Sequence, residues 1–146
     1  MQAPSFSYGV VDPDILYSIL ESGYIPVVSP IGVGRHGESY NLNADHVAGI
    51  LAGRFDAAKL ILMTDVPGVL SDPDQPESLL SELSREQVQK MIEAGLVAGG
   101  MIPKLQACLT ALDAGVARTH IIDGRIPHAL LVEVFTDAGI GTMVRL

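Results

Sequence analysis

Short apolar runs set between stretches of helical period constrain this chain more than any other feature of its sequence. YIPVVSPI (Tyr24 to Ile31) and KLILMT, with Leu60 to Met63 at its centre, are apolar at most positions, and ARTHIID (Ala117 to Asp123) adds the β-branched Thr119, Ile121 and Ile122 of a further strand. A strand with one face in water would alternate, so such runs predict strands covered on both faces, as in a parallel sheet. With helices between them, the expected fold is an α/β sandwich built on a parallel sheet, whose ligands bind beyond the carboxyl ends of the strands.

The helical stretches carry their own punctuation. Asp12 and Pro13 offer a cap and a first helical residue, and Ile15, Leu16, Ile19 and Leu20 continue the period to Gly23, predicting a surface helix that covers the sheet. GVGRHGESYN reads as a loop or hairpin before a helix that opens near Asn43, Ala44 and Asp45. Ser71 to Ser78 is an exposed loop with Asp72 and Asp74 in solvent, and Ser84 with Gln87 forms a capping box for a helix ending at Gly95. A further helix spans Met101 to Asp113, HALLVEVF gives another whose strip from Ile126 to Phe135 packs in the core, and GIGTMVRL closes with a short strand. No repeat or linker interrupts this order, so residues 1–146 read as one domain, and 48% hydrophobic residues suffice for a core.

Charge and cysteine usage remove several classes of function. A formal net charge of -8 opposes broad attraction to nucleic acid or to an anionic membrane, so an anion must be held locally. Cys108 is the single cysteine and reads as a buried, inert thiol in a reducing compartment. No apolar run approaches the roughly 18 residues of a membrane helix, and MQAPSFSYGV lacks a basic and apolar leader pattern, so the expected location is the cytoplasm.

Three segments hold residues that a bare scaffold does not need. In NLNAD (Asn41 to Asp45), Asn43 suffices as a helix cap, which leaves Asn41 and Asp45 with spare chemistry. TDVPG, comprising Thr64, Asp65, Val66, Pro67 and Gly68, is either a plain turn or a ligand loop after a buried strand. In GGMIPK, Gly99 and Gly100 permit close backbone approach, and Pro103 is tolerated because amides in a first turn lack intrahelical partners. Lys104 opposes the helix dipole there by roughly 0.3–1 kcal/mol, a sign that a bound phosphate would reverse. Between that and a lysine simply pointing into solvent, phosphate binding is the preferred reading. His120 reads as a packed core histidine, His36, His46 and His128 share no ligand spacing with it, and no metal is assigned to protein side chains.

The ordered segments YNLNADHVAG, KLILMTDVPGVL, GLVAGGMIPK, HIIDGRIPHALL and FTDAGIGTM resemble the C-terminal, nucleotide-binding half of the N-acetylglutamate kinases, a branch of the amino acid kinase family, over about Val10 to Val144. The resemblance implies an α/β fold of the open, mainly parallel αβα sandwich type, and phosphoryl transfer from ATP with Mg2+ to the side-chain carboxylate of N-acetyl-L-glutamate, in arginine biosynthesis. It implies that Asn41 binds the acyl amino acid, Asp45 orients the catalytic lysines and Lys104 stabilises the transferring phosphoryl group. Thr64 to Gly68, with Val97, Gly99, Gly100, Met101 and Lys104, would then line the nucleotide site. The family's N-terminal half adds a lysine with a glycine pair, a second glycine pair and an arginine. These find no counterpart here, so one half of a two-part site is expected, inactive or incomplete on its own. Such a half-sheet would expose an edge and apolar area, and homo-oligomers joined through that edge are expected. A kinase for a related acylated amino acid of the aminoadipate type, and a non-catalytic nucleotide-binding module, stay open as alternatives.

Overall fold

The structure, a computed structural model, describes residues 13–137 and 139–146. Helix α1 (Asp14–Glu21) is followed by strands β1 (Ile31–Val33) and β2 (Ser39–Asn41), helix α2 (Ala44–Arg54) and strand β3 (Lys59–Thr64). After a 3-10 turn at Pro76–Ser78 come β4 (Glu82–Ser84), α3 (Arg85–Glu93), α4 (Met101–Asp113), β5 (Arg118–Asp123), α5 (Ala129–Phe135) and β6 (Thr142–Arg145). Strands β1 and β2 form the expected hairpin, with Ile31 opposite Asn41.

The main sheet has the order β3-β5-β6-β4. β3 and β5 run parallel from Lys59 opposite Arg118 to Thr64 opposite Asp123, and β4 runs parallel to β6. Only the β5 and β6 pairing is antiparallel, so the sheet is mainly parallel, as the sequence pattern demands. Strand β5 is buried at every residue after Arg118, its polar Thr119, His120 and Asp123 included. Against it lies α4, which buries Leu105, Ala107, Cys108, Ala111 and Leu112. The capping box forms as expected: the Ser84 hydroxyl accepts from the Gln87 amide, and the Gln87 side chain accepts from the Ser84 amide.

Three expectations are overturned. Tyr24 to Ile31 is not a buried strand: residues 24–29 belong to no strand, Ile25 and Val27 are 89% and 94% exposed, and Ile31 opens the hairpin. A strand exists only by pairing, and among the described residues nothing is hydrogen-bonded to this segment as a neighbour strand. The apolar strip from Ile126 to Phe135 is not core: Ile126, Leu130, Leu131 and Phe135 are exposed, while Ala129 and Glu133 are buried. ALLVEVF is apolar nearly all round, so hydrophobicity alone could not set which face turns inward. Helix α1 buries no residue and lies beside the end of α2, with the Tyr17 and Phe55 rings 4.9 Å apart. Pro13 occupies its cap position, and Asp12 lies outside the described residues.

The close approach of α2 to α4 depends on missing side chains. A Cβ at Gly49 would stand 2.7 Å from the Ala107 carbonyl oxygen and 3.1 Å from its Cα, and one at Gly53 would stand 2.4 Å from the Ala114 Cβ. Gly49→Ala gains about 1 kcal/mol of helix propensity but meets backbone that cannot rotate aside, an overpacking cost of about 1–3 kcal/mol. A net loss of stability is expected in denaturant unfolding. A more stable variant would show that the two helices can part freely.

Candidate functional site

Short links, residues 55–58 and 114–117, join α2 to β3 and α4 to β5. Each helix therefore runs back along the strand that follows it, and both helix N-termini meet at the carboxyl ends of the parallel strands. That is where an open α/β sheet binds ligands.

Asn43 caps α2 by accepting the His46 amide at 3.0 Å, which leaves Asp45 in the first turn with its carboxylate unused by the cap. Lys104 occupies the fourth helical position of α4, after the cap residue Gly100 and with Pro103 third, where the missing amide costs no hydrogen bond. The Lys104 Nζ donates to both Asp45 carboxylate oxygens at 3.0 Å. Both side chains are about four-fifths buried, at 18% and 21% exposure. The ammonium is thus aimed by a two-point contact and keeps a donor for another acceptor. The small residues between α2 and α4 set this distance, since the two charges sit one turn above the Gly49 and Ala107 contact.

A cleft of about 360 Å³ lies between the turn after β3 and the segment before α4. Val66, Gly68, Val69 and Leu70 form one wall, and Val97, Ala98 and Met101 form the other. Of the expected nucleotide residues, Val66, Gly68, Val97 and Met101 line it, whereas Thr64, Asp65, Pro67, Gly99, Gly100 and Lys104 do not. Thr64 and Asp65 stand at the end of β3, where the Thr64 hydroxyl donates to Asp65 at 3.3 Å. Asn41, exposed at the end of β2, also lies outside this cleft.

The apolar walls suit the face of a planar base, and the polar groups at the strand ends suit the charged part of a ligand. Gly99 adopts a left-handed φ of 57° with open space around a would-be Cβ, as does Gly100 with an ordinary φ. Gly68 differs: at φ 152° its Cβ would press on the Thr142 Oγ1 at 2.6 Å. Its glycine is required by packing against β6.

A larger cavity of about 740 Å³ runs beside α5 from Lys59 and Arg118, the first residues of β3 and β5, past His120 to Gly139 and Gly141. Its lining includes no residue of α2 or α4, whereas the smaller cleft reaches Met101 at the start of α4, so the smaller cleft is the candidate site. His120 does pack as a buried residue, yet it faces this cavity with its Nδ1 2.6 Å from Glu133 and its Nε2 without a hydrogen-bond partner. Burial pushes the Glu133 carboxyl up, but the amides of Ile140 and Gly141 and the His120 ring together hold it below its ordinary value. No sequence pattern pointed to this pair, because its members are joined only across β5 and α5.

At the carboxyl end of β5, Asp123 accepts from the Arg125 amide and Nε at 2.9 Å and from its Nη2 at 2.8 Å, and these bonds hold its carboxyl down to about 2. Cys108 is fully buried, and burial pushes its thiol up to about 11, as befits an inert group. His128 opens α5 in the left-handed region at φ 60° without a side-chain cap.

Comparison with known proteins adds to this geometry. Residues 8–123 match the profile of the amino acid kinase family. The chain is 59% identical over 134 residues to the acetylglutamate kinase of Moorella thermoacetica and 57% identical to that of Symbiobacterium thermophilum, in each case over 92% of its own length. It spans 45% and 46% of those two relatives, a little under half. Among solved structures, N-acetylglutamate synthase from Neisseria gonorrhoeae, complexed with coenzyme A and L-arginine, superposes with a TM-score of 0.82 at 31% identity, over 92% of this chain and 30% of that one.

Proposed function

Because the chain belongs to the amino acid kinase family, we propose that residues 1–146 supply the nucleotide-binding half of an acetylglutamate kinase, which transfers the terminal phosphoryl group of ATP to the side-chain carboxylate of N-acetyl-L-glutamate. Lys104 held by Asp45 is the observation that carries this reading, together with the similarity to two acetylglutamate kinases. Phosphoryl transfer is catalysed largely by positioning and by cations aimed at developing charge, and an ammonium fixed at two points, with a donor to spare, fits that task.

ATP enters with Mg2+ as part of the substrate. Its base occupies the apolar cleft between Val66 and Met101, and its phosphates extend past Gly99 and Gly100 toward Lys104, with Thr64, Asp65 and Pro67 at the rim. Asp45 acts as a positioning residue through Lys104, and Asn41 serves the acyl amino acid. The same reading puts the reaction in arginine biosynthesis and in the cytoplasm. It also assigns the edge of β3, which has no strand beyond it among the described residues and where Met63 is 54% exposed, to association with further polypeptide in a homo-oligomer.

Nucleotide binding tests the core of the proposal directly on this chain. ADP at about a hundred times its dissociation constant is expected to raise the unfolding temperature by on the order of 10 °C. A melting temperature that ignores both ADP and ATP would overturn the reading.

A further inference from the structure

The cleft wall formed by Gly68 and Val69 is held by a residue far away in the chain. Thr142, the first residue of β6, is fully buried, and its Oγ1 accepts the Val69 amide at 2.8 Å across a separation of 73 residues. On the same contact, Gly68 lies so close that only a hydrogen fits in place of a side chain against the Thr142 hydroxyl and backbone. Leu80 donates its amide to the Val69 carbonyl on the other side of the wall, so both backbone groups of Val69 are tied down. The amide is buried, and without Thr142 it would have no partner, a state that a short loop relieves by moving. Movement here displaces the surface on which a base would rest.

We propose that Thr142 is a positioning residue for the nucleotide: it touches no ligand and acts through Val69 by fixing the wall of the cleft. This rests on the nucleotide reading of that cleft. Thr142→Val keeps the volume and removes the acceptor, whereas Thr142→Ser keeps the acceptor. Thr119, a buried threonine on β5 whose hydroxyl meets the Val144 carbonyl at 3.5 Å and the Cys108 thiol, lines neither wall and is the control.

The test is ADP titration of the purified chain by calorimetry, with thermal melts of each variant. T142V is expected to weaken ADP binding roughly tenfold, while T142S and T119V stay within about twofold of the parent. T142V and T119V that both melt earlier but bind ADP like the parent would reduce Thr142 to a scaffold residue and overturn the proposal. Hydrogen exchange of the parent chain covers the case of a T142V that fails to fold. The Val69 amide is expected to exchange slowly and to slow further with saturating ADP, and an exchange rate indifferent to ADP also overturns the proposal. A parent chain that binds no ADP sinks the nucleotide reading itself, and this inference falls with it.

Discussion

Lys104→Met is expected to lower the rate of phosphoryl transfer by about a hundred- to a thousandfold while leaving nucleotide affinity within a few-fold. The size follows from removing one preorganised charge aimed where charge develops in the transition state, an effect far larger on rate than on ground-state binding. The measurement is ADP release with N-acetyl-L-glutamate, in an assembly that supplies the rest of the fold carried by the longer relatives. Stability should fall as well, because the Asp45 carboxylate is about four-fifths buried and loses its partner, so melts are recorded beside turnover and the comparison is made below the variant's melting temperature. Asp45→Asn separates position from charge: it keeps the shape, loses the carboxylate and should give an intermediate loss, mostly in turnover. A Lys104→Met enzyme that turns over within threefold of the parent would leave the Lys104 and Asp45 pair as a simple structural ion pair between helices.

Glu133→Ala is expected to lower stability by about 3–5 kcal/mol, because it removes one partner of a buried pair and leaves the others stranded. His120 would keep no hydrogen bond on either ring nitrogen, and the Ile140 and Gly141 amides, now 2.7 and 3.3 Å from the carboxylate, would lose their acceptor. That cost is a large share of the 5–15 kcal/mol typical of a whole domain. Urea unfolding at neutral pH measures it, and Glu133→Gln, which retains an acceptor, should lose less. The folded carboxyl lies below its ordinary value of 4.5, so its contribution is present above that pH and fades as the pH falls further. A Glu133→Ala variant within 1 kcal/mol of the parent would mean that the residues after α5 are anchored by something else.

Legibility divides along physical lines. Helix α4 was readable to the residue, since a glycine pair before it and a helical apolar period within it are local signals. The Ser84 capping box was equally plain, because cap and partner are three residues apart. Lys104 stood out because its sign contradicts the local dipole. The structure gives that contradiction a partner in Asp45, 59 residues earlier, which no local rule could supply. Thr142 is invisible in the same way: a lone threonine in GIGTMVRL reads as ordinary strand composition until the Val69 amide is found against it.

The errors have the same origin. The composition of the YIPVVSPI run points to a buried strand, but burial is a property of neighbours, and residues 24–29 have no strand paired with them among those described. On α5 the hydrophobic pattern was too uniform to carry a phase, so the exposed Leu130, Leu131 and Phe135 and the buried Glu133 exchanged their expected places. The sequence by itself determined the α/β class and the starts of α2, α3 and α4, because periodicity and caps act over a few residues. Only the tertiary structure decided which charges meet, which glycine is demanded by packing and which face of α5 turns inward. Those depend on distances between elements far apart in the chain, which only the close packing of α2 on α4, and of β6 against the turn after β3, brings within hydrogen-bond range.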